Sequence, residues 1–105
     1  MNQLKFLLTL ADTTKAYSWT VDGNRITGVA RNGADRGRRF DPLTAACRYT
    51  TNKTYPNTKR GRRSAARVLG LSELMSNSVQ DATQASTNRG HAQVMRGRIK
   101  QVLGL

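Results

Sequence analysis

The sequence predicts a small α+β domain, and three observations carry that prediction. An alternating run, Tyr17, Ser18, Trp19, Thr20 and Val21, leads into Asp22-Gly23, a pair suited to a tight β-hairpin turn. The segments on either side place apolar residues at helical spacing instead. A chain of 105 residues has room for one domain with one modest core. A lone hairpin is marginal in water, so its apolar side must be covered, and the rest of the chain supplies helices to do it.

Leu4, Leu7, Leu8 and Ala11 follow one helix face and predict a helix over 3–14. The alternation of Leu4, Phe6, Leu8 and Leu10 fits a strand as well, and the unbranched Leu side chains favour the helix. With Asp22 and Gly23 as the hairpin loop, Val21 faces Asn24, Trp19 faces Ile26 and Tyr17 faces Gly28. Both aromatics then share a sheet face with Ile26 and start a core. From Arg31 to Arg39 the chain is rich in Arg, Gly, Asn and Asp without an apolar period, which reads as an exposed, mobile, basic loop.

Three to four short helices are expected after the hairpin. Asp41-Pro42 supplies an N-cap acceptor and a proline at the first helical position, opening a helix over 42–50 lined by Leu43, Ala46 and Cys47. Residues 51–58, with Tyr55-Pro56, turn the chain ahead of the cationic run Lys59, Arg60, Arg62 and Arg63. A helix from Ser64 to Leu69 follows, stopped by Gly70. Ser72 can cap a further helix over 73–86, with Glu73 at its positive end and Leu74, Met75, Val79 and Ala82 for packing. After a break at 86–90, a last helix over 91–103 has Met95, Ile99, Val102 and Leu103 on one face and Arg96, Arg98 and Lys100 around the rest. Val-Leu-Gly-Leu occurs at 68–71 and again at 102–105. The flanks do not repeat, so both copies read as a helix end with Gly at C′ and a Leu folding back on the last turn.

Eighteen Lys and Arg oppose six Asp and Glu, a net charge of +12 that is self-repulsive until a polyanion or acidic partner relieves it. Thirteen of those cations are Arg, whose planar fork suits phosphate, guanine edges and stacking on bases, so nucleic acid is preferred to a membrane surface. Between Arg31 and Arg67 eleven cations face only Asp35 and Asp41, whereas a surface built for solubility alone usually mixes signs. The expected partner is therefore nucleic acid, DNA favoured over RNA. The expected contacts are Arg31, Arg36, Arg38, Arg39, Lys59, Arg60, Arg62, Arg63 and Arg67, with help from Arg96, Arg98 and Lys100. Tyr49 and Tyr55 lie in the same stretch. Their rings either anchor the core, which is the expectation, or stack on unpaired bases.

Catalysis is not expected. His91 is the sole histidine, the six carboxylates are scattered, and no phosphate-binding glycine loop, metal cluster or nucleophile–base pair is visible. No cofactor is implied. Cys47 alone cannot form an internal disulfide and reads as a small buried hydrophobe in a reducing compartment. The first eleven residues are too short and polar for a signal or a membrane span, so a cytoplasmic protein is expected.

Ala65-Ala66-Arg67-Val68-Leu69-Gly70-Leu71-Ser72 resembles the first helix and turn of a helix-turn-helix motif, within a match over residues 64–80. That resemblance implies a second helix in the major groove, with Ser72, Glu73, Asn77 and Gln80 beginning and lining it. Ser76 stands where the pattern wants a buried Val or Ile, and Leu74 and Met75 stand where it is usually exposed. An ordinary αα-hairpin with a glycine stop is the alternative, in which the basic segment alone touches phosphate. The phrases Asp41-Pro42-Leu43-Thr44-Ala45 and Ala65-Ala66 through Leu71-Ser72, joined to the hairpin, also resemble small uncharacterised proteins encoded by phages and their hosts. Such proteins often bind one host component, which implies the alternative function, an inhibitory protein that docks on an acidic host protein or on the nucleic-acid channel of a host complex. Small ribonuclease toxins are similar in size and charge, but they generally need a larger sheet than one hairpin.

Overall fold

The computed structural model describes residues 3–23, 25–71 and 89–105. Within them the chain runs α1 (Gln3–Thr13), β1 (Tyr17–Asp22), β2 (Arg25–Ala30), β3 (Arg39–Phe40), α2 (Pro42–Thr51), α3 (Lys59–Val68) and α4 (Arg89–Leu103). This is an α+β fold, a three-stranded antiparallel sheet in the order β1-β2-β3 with helices packed against it and each other. The helix expected over 73–86, with Asn77 and Gln80, lies outside the described residues.

The hairpin forms, but its register differs from the expected one. Asp22 pairs with Arg25, Val21 with Ile26, Trp19 with Gly28 and Tyr17 with Ala30, so Asp22 belongs to the ladder and not to the loop. Gly23 takes the positive φ of 61° that a tight turn demands. The pairing moves by two residues, and because side chains alternate with period two, the buried face is unchanged. Tyr17, Trp19, Ile26 and Ala30 still point inward together.

Gly28 is needed on that face. A Cβ there would lie 2.8–2.9 Å from the ring of Trp19, so the missing side chain lets the indole lie across β2. On the other side of Gly28 sits Phe40, its partner in β3. Phe40 meets Tyr17 edge-on, with ring centroids 5.2 Å apart, a favourable aromatic geometry. Arg39 falls within the loop expected over 31–39; β3 carries no pattern of its own, and only pairing with β2 makes its two residues a strand.

α1 is a helix, but it buries Phe6, Leu10 and Thr13, with Leu7 partly covered, and leaves Leu4, Leu8 and Ala11 exposed. The buried face differs from the expected one because apolar residues surround this helix; α1 packs on α2 and α4, and Phe6 and Leu10 are its fully buried apolar side chains. α2 matches expectation closely. Asp41 accepts from Leu43 N at 3.2 Å and Thr44 N at 3.0 Å, while its own N–H donates to Thr44 Oγ1 at 3.0 Å, a closed capping box ahead of Pro42. Residues 42–47 are all buried, including Cys47. α4 begins at Arg89, within the expected break, and buries Met95, Ile99 and Leu103.

Both Val-Leu-Gly-Leu copies close a helix in the same way. Leu71 N bonds to Ala66 O at 2.8 Å and Gly70 N to Arg67 O at 3.1 Å; Leu105 N bonds to Lys100 O at 2.9 Å and Gly104 N to Gln101 O at 3.2 Å. These paired bonds, with Gly70 at φ 74° and Gly104 at φ 76°, define the Schellman stop.

Candidate nucleic-acid interface

The cationic run is helical. α3 starts at Lys59 rather than Ser64, capped by Thr58, whose Oγ1 accepts from Gly61 N at 3.1 Å. Read as a helix, the run separates into two faces. Arg62, Ala65, Ala66 and Leu69 recur at i, i+3, i+4 and i+7 and are buried with Gly61. Lys59, Arg63 and Arg67 recur at i, i+4 and i+8 on the opposite side, with Arg60 beside them, and all four are exposed. At 1.5 Å per residue the stripe from Lys59 to Arg67 is roughly 12 Å long. No acidic residue stands in the first turn of this helix.

Arg62 therefore leaves the set of expected phosphate contacts. It is only 4% exposed, and its charge acts on the buried carboxylate of Asp41 at the start of α2. Burial pushes Asp41 above the usual carboxylate range, against the opposing pull of its hydrogen bonds from Thr44 and Leu43 and of Arg62. The same proximity brings α3 to the corner where β3 enters α2, just after Arg38 and Arg39.

The segment expected to be a mobile loop is braced. Gly37 N bonds to Ala30 O, Arg38 N to Asp35 O and Arg31 N to Ala16 O, with Gly33 and Gly37 at positive φ. Asp35 Oδ2 accepts from Arg48 Nε at 2.6 Å, and Asp35 Oδ1 lies 3.9 Å from Arg38. Arg48 also donates to the carbonyl and side-chain oxygens of Asn52, the left-handed C-cap of α2. Nearby, the Tyr17 phenol is raised, chiefly by burial and then by Asp35, with Arg48 opposing. Arg31, Arg36, Arg38 and Arg39 remain exposed on this loop and strand, and the Arg38 guanidinium lies 5.9 Å from the Phe40 ring centroid.

α2 thus carries both basic segments, α3 packed along it and the 31–38 loop pinned to it through Arg48. Of the α4 cations, Arg98 is exposed and Arg96 and Lys100 are half-buried. Sequence reasoning missed the bracing role of Arg48, for which no local signal exists. Tyr55 packs against the core as expected, but Tyr49 does not, and its ring stands in solvent. Among the described residues, no helix is long and apolar enough to cross a membrane. Comparison with known proteins finds no matching family model, curated protein or solved structure.

Proposed function

We propose that this protein is a non-enzymatic nucleic-acid-binding protein that contacts phosphates through the exposed cations of α3 and of the loop and strand 31–39, DNA favoured over RNA. One observation carries the reading. α3 turns Lys59, Arg60, Arg63 and Arg67 to one side and its small residues to the other, and the two carboxylates within the basic stretch 31–67, Asp35 and Asp41, are already engaged by Arg48 and by the α2 cap. Apart from Arg38 beside Asp35, the outer cations of this stretch have no carboxylate of the stretch left to pair with, as a polyanion-binding surface requires. If the helix-turn-helix resemblance holds, Asn77 and Gln80 add base contacts to this phosphate grip; the phosphate grip does not depend on it.

A second reading rests on a different observation. α1 leaves Leu4 65% and Leu8 59% exposed on one side, apolar area that phosphate contact does not use and that a protein partner would. Docking on an acidic host protein, as the phage-like resemblance implies, would use that face together with the cations. Purification with and without nuclease, followed by anisotropy titration of labelled DNA, separates the two. With about 6 to 10 phosphate contacts, affinity should fall roughly 10³- to 10⁵-fold between 50 and 200 mM salt. Binding that ignores salt, or a stoichiometric protein and no nucleic acid in the nuclease-free preparation, would contradict the leading reading.

A further inference from the structure

The chain has six aromatic residues, and five of them are buried or packed against the core: Phe6, Tyr17, Trp19, Phe40 and Tyr55. Tyr49 is the exception, 51% exposed on the last turns of α2. Its side chain makes no hydrogen bond or ring contact among the described residues, while Thr50 and Thr51 beside it turn their hydroxyls back to Ala46 O and Cys47 O. The ring therefore has no folding role that its exposure reveals.

Its mounting is firm. Arg48, the preceding residue, is fixed at both ends of its guanidinium, to Asp35 on one side and to the Asn52 cap on the other. That brace holds the end of α2 and draws the 31–38 loop, with Arg36 and Arg38 exposed, toward the same end of the helix. Lys53, also exposed, follows the cap. An exposed aromatic ring on a helix end that is tied to a basic loop and followed by an exposed lysine supplies the two parts of a single-strand site, cations to track the backbone and a face on which a base can lie. A base inside a duplex is already stacked and offers no face to such a ring; an unpaired base does.

We propose that Tyr49 is a stacking platform for an unpaired base, and that the preferred partner of this surface is single-stranded nucleic acid. The inference rests on the nucleic-acid reading above and narrows it. Stacking on an aromatic ring is tolerant of base identity, so the preference is for strandedness rather than sequence.

The test uses the full chain and labelled oligonucleotides of about 16 nucleotides, a poly-dT strand and a mixed duplex, titrated at one salt concentration. The wild type should bind the single strand more tightly than the duplex. Tyr49→Ala should weaken single-strand binding about 5- to 150-fold and leave duplex binding within about 2-fold, while Tyr49→Phe keeps the wild-type values. Because Tyr49 is outside the core, circular dichroism should show each variant folded. Single-strand binding unchanged in Tyr49→Ala, or lost equally in Tyr49→Phe, overturns the stacking role and leaves the phosphate reading standing. A wild type that binds neither oligonucleotide overturns both, and points to the protein-docking alternative.

Discussion

α2 and α3 begin in opposite ways. α2 opens on a buried carboxylate whose oxygens meet the first free N–H groups of the helix, and everything in its first six positions is dry. α3 opens on the neutral hydroxyl of Thr58 and then places Lys59 and Arg60 at the positive end of its own dipole. Cations at a helix N-terminus are unfavourable by about 0.3–1 kcal/mol each. The first start is organised for folding, with its acid satisfied inside; the second accepts a local electrostatic cost that an incoming anion would remove. Arg62 links the two, being the α3 cation turned inward toward Asp41.

The sharpest way to break the second start is Gly61→Ala. A Cβ there would overlap the carbonyl oxygen of Pro56, so α3 could not keep its seat against the preceding turn. The change should destabilise the protein by about 3 kcal/mol, whereas Gly97→Ala, in the open on α4, should stabilise it by about 0.5–1 kcal/mol. Urea midpoints of the two variants test this; equal midpoints would contradict the described seating of α3.

That same start explains part of what the sequence reading missed. The cationic run around Gly61 shows no apolar residue before Ala65, so the sequence alone starts the helix at Ser64. Thr58, three residues before Gly61, was the available N-cap signal, and the spacing of Arg62 with Ala65, Ala66 and Leu69 was the available sign that this arginine faces inward. α2 was legible because Asp-Pro fixes a start chemically, and both Val-Leu-Gly-Leu stops were legible because Gly at C′ has a backbone reason. The hairpin face was legible while its register was not, since Asp22-Gly23 and Gly23-Asn24 both satisfy a tight turn. β3 and the Arg48–Asp35 brace depend on contacts between segments and leave no local trace. The candidate interface was legible as charge; which cations point outward required the helix.

Asp41→Ala removes the α2 cap and should cost about 2 kcal/mol; Thr58→Ala removes only a hydroxyl at the α3 start and should cost about 1 kcal/mol. Thermal midpoints in the reverse order would mean that the two starts do not differ as described.

A smaller effect separates charge from capping at Asp41. Burial raises its folded-state pKa above the unfolded value near 4, so within the window between them the native state holds a proton that the unfolded chain has lost. Stability contributed by this group is therefore full below the unfolded pKa and declines as pH rises through the raised one. Asp41→Asn keeps a capping oxygen and cannot titrate, so its urea midpoint should lack that decline. A decline of equal size in both proteins would assign it to other groups.

The central claim is that the outward cations of α3 grip phosphate, and the most direct measurement is the salt dependence of DNA affinity in the Arg60→Ala, Arg63→Ala, Arg67→Ala triple variant. Each phosphate contact contributes about 0.9 to the slope of log affinity against log salt, so losing three should lower the magnitude of the slope by about 2 to 3 while circular dichroism stays unchanged. A folded triple variant with the wild-type slope and affinity would contradict the account.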